Sequence, residues 1–169
     1  PEGVEVAIEP GAAFGLGYPP TTRRSAAALW RSVSEGDTVL DVGCGTGVLA
    51  IVGVLAGAQR AVGVDIAEAA VPVTIDNATR NGVGERIEVS TTPLQHVEGT
   101  YDVVVANILA TVLISLADDL RRVVTPGGRL IISGILAERH DHVLTALAPL
   151  VAVSTTTLEG WAAVELRHP

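Results

Sequence analysis

The chain has 169 residues, of which 48% are hydrophobic and 18% charged, with a net charge of −8 at neutral pH. That length suits one domain with a full core, and the longest apolar run, Val48 to Ala58, stops at Gln59 and Arg60, short of a membrane span. An acidic chain without clustered cations argues against nucleic-acid backbone binding, and the lone Cys44 rules out an internal disulfide, which fits a cytoplasmic setting.

No basic, apolar leader is visible, and a chain that lacks methionine and begins at Pro1 points to sequence upstream. All eleven basic residues are arginine, as codon bias in a GC-rich genome would produce.

The first stretch, "EPGAAFGLGYPPTTRR" from Glu9 to Arg24, is rich in glycine and proline and holds Phe14, one of five aromatic residues. Thr21 to Ser34 then shows Ala27, Leu29, Trp30 and Val33 at helical spacing, with a threonine as the expected N-terminal cap. "DTVLDVG" reads as a buried strand running into a turn, "GVLAIVGVLAGA" as a helix and "RAVGVDI" as a strand. "AEAAVPVTIDNATRNG" is a helix closed by Asn81 and Gly82, and "RIEVS" is a strand.

"YDVVVANIL" is a further strand, "LISLADDLRRVV" one helix, and "TPGGRLIISGI" a tight turn feeding a strand. "RHDHVLTALAPL" predicts the last helix, and "VAVSTTTLEGWAAVELRH" two alternating strands hinged near Gly160. Strands alternating with helices predict an α/β domain over residues 1–169: a doubly wound, seven-stranded, mostly parallel sheet with an antiparallel C-terminal hairpin. Ligands of such sheets bind beyond the carboxyl ends of the strands, where the winding reverses.

"LDVGCGTGVLA" places Gly43, Gly45 and Gly47 at such a position, between a strand and a helix. The dinucleotide fingerprint is spaced G-x-G-x-x-G, one residue longer than this turn, which has an acid, Asp41, two residues before its first glycine. A carboxylate there suits a ligand with an ammonium group. Asp65, ending the next strand, is placed to accept both hydroxyls of a ribose. Two acids fit a cationic nucleoside better than a pyrophosphate.

The D-x-G-x-G-x-G turn, Asp65, the "TPGG" turn and the closing hairpin together resemble the class I S-adenosylmethionine-dependent methyltransferases, whose fold is Rossmann-like. Within that class the chain is similar to the ribosomal protein L-11 methyltransferases through three pieces: "EPGAAFGLGYPPTT", "DVVVANILA", and "SGIL" followed by "EGWAAVEL". The resemblance implies S-adenosyl-L-methionine as cofactor, S-adenosyl-L-homocysteine as product, and a protein amino group as acceptor. It also implies that residues 1–20 hold a lid, with Phe14 and Gly15 over the cofactor.

Carried over residue by residue, Thr22, Gly43, Asp65 and Asn107 contact the cofactor. Cys44, Gly45 and Gly47 complete the turn, Asp41 lies near the amino group, and Ile66 lies beside the adenine. "EVSTTPLQHV" has no acid where many methyltransferases keep one for the adenine, which leaves Thr92 or the backbone. Leu109 and Ala110 follow Asn107 and Ile108, where enzymes acting on bases or glutamine amides carry a proline pair and an aromatic. That difference favours an aliphatic amine.

Methyl transfer from a sulfonium needs an unprotonated amine aimed at the methyl carbon. Asn107, with the backbone of Ile108, is the expected aiming group. Cys44 reads as a small turn residue rather than a nucleophile. His140 and His142 are two apart, which suits no single helix face, and no metal is expected.

Two departures from the family pattern bear on the acceptor. Its usual Thr-Gly-Thr-His is here Leu16-Gly17-Tyr18-Pro19, and the substrate-recruiting domain that precedes its lid is not found in these residues. A protein amine, a small-molecule amine and a non-catalytic cofactor-binding role therefore stay open, with nucleic acid and membrane not expected as partners and oligomeric state unassigned.

Overall fold

The structure, a computed structural model, describes residues 4–11 and 19–169, so Phe14, Gly15 and half of the expected lid lie outside the described residues. In chain order the elements are α1 (Pro20–Ser32), β1 (Thr38–Val42), α2 (Val48–Leu55), β2 (Arg60–Val64), α3 (Ala70–Arg80), β3 (Ile87–Ser90) and β4 (Tyr101–Asn107). They continue with α4 (Ala110–Ser115), α5 (Ala117–Arg122), β5 (Val124–Leu136), α6 (His140–Ala146), β6 (Val151–Leu158) and β7 (Trp161–Arg167). The seven strands form one sheet in the order β3-β2-β1-β4-β5-β7-β6. β1 to β5 pair in parallel, and β7 runs antiparallel to both β5 and β6.

The central strands are apolar without alternation because both faces are covered. Val39, Val103, Val105 and Ile131 pack on one face beneath α1, α2 and α3. Leu40, Val104, Leu130 and Ile132 pack on the other, beneath α4, α5 and α6. α2 is buried at every position from Val48 to Val54, which explains why its sequence carries no polar face. β6 and β7 are joined by Glu159 and Gly160, whose positive φ values of 52° and 82° match the twist of a two-residue hairpin.

α3 ends as its sequence predicts. Gly82 N–H donates to Thr79 O and Val83 N–H to Ala78 O, the paired bonds that close a helix through a left-handed glycine.

Two expectations are corrected. α1 begins on Pro20 with Pro19 at the N-cap position and no side-chain cap, so neither threonine caps the helix. Proline at the first helical position already supplies the required φ. The helix expected over "LISLADDLRRVV" is two, separated at Leu116, where φ is −98° and ψ 5°. Helical hydrogen bonds run on from Leu116 N–H to Val112 O and from Leu120 N–H to Leu116 O. The break is therefore a local departure that no glycine or proline announces.

The winding reverses between β1 and β4, which are hydrogen-bonded neighbours at the centre of the sheet. Their carboxyl ends are Val42, leading into the glycine turn, and Asn107.

Candidate functional site

The glycine turn is held by its own amides. Gly43 N–H (2.8 Å) and Cys44 N–H (3.0 Å) both donate to Val64 O at the end of β2, and Gly47 N–H donates to Cys44 O (2.8 Å). Gly45 N–H donates to Asp65 Oδ2 (2.9 Å). With those four amides satisfied inside the chain, the turn does not offer the row of N–H groups that cradles a pyrophosphate.

Two carboxylates flank it. Asp65 accepts Gly45 N–H at one oxygen and Ala67 N–H (2.9 Å) at the other, and is only partly buried. A carboxylate has about four acceptor sites, so each oxygen keeps one for a hydroxyl. Ile66, directly after it, is 92% exposed, an apolar side chain in the open beside the acid. Thr92, beyond β3, is tied by a hydroxyl contact from Ser90 (2.9 Å), while Ser90 O accepts Asp65 N–H (3.2 Å).

Asp41 is different. It shares the β1 face of Val39, beneath α2, and is 1% exposed, with Oδ2 accepting Ala50 N–H (3.2 Å) from the first turn of α2. Burial, partly offset by that bond, pushes its carboxyl up to about 7, and the nearby Asp65 charge adds to the rise. An ammonium group brought to the turn would favour its ionised form.

Cys44 is turned inward. Its thiol touches Thr74 Oγ1 (3.7 Å) and crowds Gly63, and burial first, then Asp41, pushes it up to about 12. It shapes the turn from behind rather than acting as a nucleophile.

Asn107 ends β4 with Nδ2 donating to Thr22 Oγ1 (3.2 Å). Thr22, expected to contact the cofactor, is 2% exposed and its hydroxyl accepts from Asn107, fixing which end of that carboxamide accepts. Ser133 O, opposite on β5, accepts Ile108 N–H (3.2 Å). Ile108 fills the space between two glycines: a Cβ on Gly43 would come within 2.6 Å of Ile108 Cγ2, and one on Gly134 within 2.5 Å of Ile108 O. Those glycines, with φ of 73° and 84°, let the backbone after Asn107 settle against both the turn and β5. Leu109, next in the chain, is exposed.

Two further side chains, which no sequence motif marks, back the turn. Thr74 Oγ1 donates to Gly45 O (3.1 Å), and Asn77 Nδ2 to Thr46 O (3.0 Å), both from the buried face of α3. Polar residues three apart on that face were the available signal. Among the described residues, no group of three or more His, Cys, Asp or Glu side chains is arranged to hold a metal ion, and no helix is long and apolar enough to cross a membrane.

These features fit a nucleoside with a charged amino-acid tail: acceptors for a ribose at Asp65, an exposed aliphatic surface at Ile66, and an acidic, closely approachable turn. The family model of ribosomal protein L11 methyltransferase (PrmA) matches residues 1–169.

The chain belongs to the ribosomal protein L11 methyltransferase family.

A ribosomal protein L11 methyltransferase of Citrifermentans bemidjiense is 44% identical over 97% of this chain and 56% of its own length. One of Thermotoga maritima is 45% identical over 84% of this chain and 53% of its own. The chain thus spans about half the length of these family members. Among solved structures, a ribosomal protein L11 methylase of Lactobacillus delbrueckii subsp. bulgaricus superposes with a TM-score of 0.83 at 30% identity, over 88% of this chain and 79% of that one. An RNA methyltransferase of Salinibacter ruber in complex with S-adenosyl-L-homocysteine shares the fold, with a TM-score of 0.72 at 21% identity over 89% and 94% of the two chains.

Proposed function

We propose that this chain is the catalytic part of a cytoplasmic protein methyltransferase that binds S-adenosyl-L-methionine and methylates an aliphatic amine, with ribosomal protein L11 as the first substrate to test. Asp65 would receive the ribose hydroxyls, Ile66 and Thr92 would border the adenine, and the Gly43–Gly47 turn with Asp41 would hold the amino-acid end. When bound, the cofactor supplies an electrophilic methyl group on a sulfonium, which an unprotonated amine displaces in line.

The residues of the chain then have three tasks. Asn107, held by Thr22, and the carbonyl of Ile108, seated on Gly134, accept hydrogen bonds from the amine and aim its lone pair. Leu109 and Val112, both exposed just beyond Asn107, cover the aliphatic stem and lower the local polarity, which favours the neutral amine. Asp41 balances the charge of the donor's ammonium group.

The observation that carries this reading is the Asn107 carboxamide, fixed by Thr22 at the carboxyl end of β4 where the sheet reverses. Incubation with methyl-labelled S-adenosyl-L-methionine and purified ribosomal protein L11 tests it. Label on lysine or N-terminal amines of L11 is the expected result. Label that appears only on small amines added in competition would move the enzyme to metabolite chemistry.

A further inference from the structure

The segment from Val4 to Pro10 crosses α3 without joining the sheet, and two asparagines hold it there. Asn81 Oδ1 accepts Ala7 N–H (2.9 Å) and its Nδ2 donates to Ala7 O (2.8 Å). Asn77 Oδ1 accepts Glu9 N–H (2.8 Å) and its Nδ2 donates to Glu9 O (2.9 Å). Each carboxamide thus offers one residue a donor and an acceptor, as a neighbouring strand would.

The spacing fits. Asparagines four apart on a helix are separated by about 6 Å along its axis, and residues two apart in extended chain by about 6.6 Å. Val6 and Ile8, the alternate residues, point the other way and pack against the core beneath α1, α2 and α3.

The two asparagines differ in one respect. Asn77 is fully buried and its Nδ2 also donates to Thr46 O, in the middle of the glycine turn (3.0 Å). Among the described residues, Asn81 bonds only the segment and its own helix, at Asn77 O (2.8 Å). One carboxamide is therefore shared between the Val4–Pro10 segment and the turn, and moving either partner moves the other's hydrogen bond.

We propose that Asn77 is a positioning residue that couples docking of the Val4–Pro10 segment to binding of the methyl donor at the glycine turn. The proposal rests on the donor-binding reading above. Coupling of this kind is reciprocal: whatever factor the docked segment adds to donor affinity, the donor adds to docking of the segment.

The test compares Asn77→Ala with Asn81→Ala in the whole chain, with S-adenosyl-L-homocysteine titrated by calorimetry and backbone amide exchange followed at Ala7 and Glu9. Wild-type protein that binds no S-adenosyl-L-homocysteine overturns the donor-site reading itself. Given binding, Asn77→Ala is expected to weaken it at least tenfold and Asn81→Ala less than twofold, although both lower thermal stability. Bound S-adenosyl-L-homocysteine is expected to slow exchange at Glu9 at least fivefold in wild type and not in Asn77→Ala.

Equal affinity losses in the two variants, or an unchanged affinity in Asn77→Ala, would overturn the coupling and leave Asn77 a structural residue. If Asn77→Ala does not fold, Asn77→Asp takes its place. It keeps the acceptor for Glu9 N–H and loses both donated bonds, so the same tenfold weakening is expected, and an affinity within twofold of wild type counts against the proposal.

Discussion

Asn107 Nδ2 donates to Thr22 Oγ1 at 3.2 Å, joining the carboxyl end of β4 to the first turn of α1 across 85 positions of sequence. Thr22 is almost wholly buried, with its hydroxyl against the carboxamide. Thr22→Val preserves shape and removes the acceptor. It is expected to lower kcat about 10- to 100-fold, the scale of a misaimed reacting group, and to leave S-adenosyl-L-homocysteine affinity within about threefold of wild type. Thr22→Ser should restore most of the turnover. Steady-state kinetics with calorimetry on both variants checks the split.

The backbone after Asn107 depends on Gly134. A Cβ there would meet the Ile108 carbonyl at 2.5 Å, and backbone cannot yield as a flexible side chain does. Gly36 is a fair control, because it too has a positive φ, 87°, but nothing among the described residues lies within 4 Å of its added Cβ. Gly36→Ala should cost about 1 kcal/mol, the strain of left-handed backbone alone. Gly134→Ala should cost about 2–4 kcal/mol and reduce turnover as the Ile108 carbonyl shifts. Urea denaturation of the two variants decides it, with equal losses counting against the close approach.

Asp41 gives the fold a pH dependence. Its carboxyl is raised from 3.8 to about 7 by burial, so between those values the folded chain holds a proton that the unfolded chain has released. Stability from this group is therefore highest at low pH, falls as pH rises from about 4 to about 7, and levels off above. Asp41→Asn removes the dependence. The variant should gain on wild type across that window and be more stable by on the order of 1–4 kcal/mol at pH 8. A stability difference that does not change with pH would contradict the assignment.

Much of this was legible in the sequence, and particular residues show why the rest was not. The order of strands and helices, the closure of α3 at Asn81 and Gly82, and the placing of the glycine turn, Asp65 and Asn107 at carboxyl ends all follow from local pattern. Apolar runs and punctuating glycines act over a few residues.

The role of Thr22 was not legible, because its partner Asn107 is remote in sequence and the local signal, a threonine near a helix start, points to a cap. Asn77 was legible only in part: with Thr74 it makes a polar pair three apart on one helix face, but its partners are remote in sequence. Its three partner atoms belong to Glu9 and Thr46, which "TIDNATRN" does not name. The split at Leu116 was hidden because "LISLADDLRRVV" contains neither proline nor glycine.

The most direct test of the account is titration of S-adenosyl-L-homocysteine into wild-type protein and Asp65→Asn. In the structure Asp65 holds the Gly45 amide while remaining partly open at the end of β2, and the substitution keeps its shape while removing its charge. Hydrogen bonds to a charged acceptor are worth about 1.5–3 kcal/mol each. The account predicts one site per chain in wild type and at least tenfold weaker binding in Asp65→Asn. No binding to wild type, or equal affinity in the two proteins, would contradict the placing of the methyl donor at this rim of the sheet.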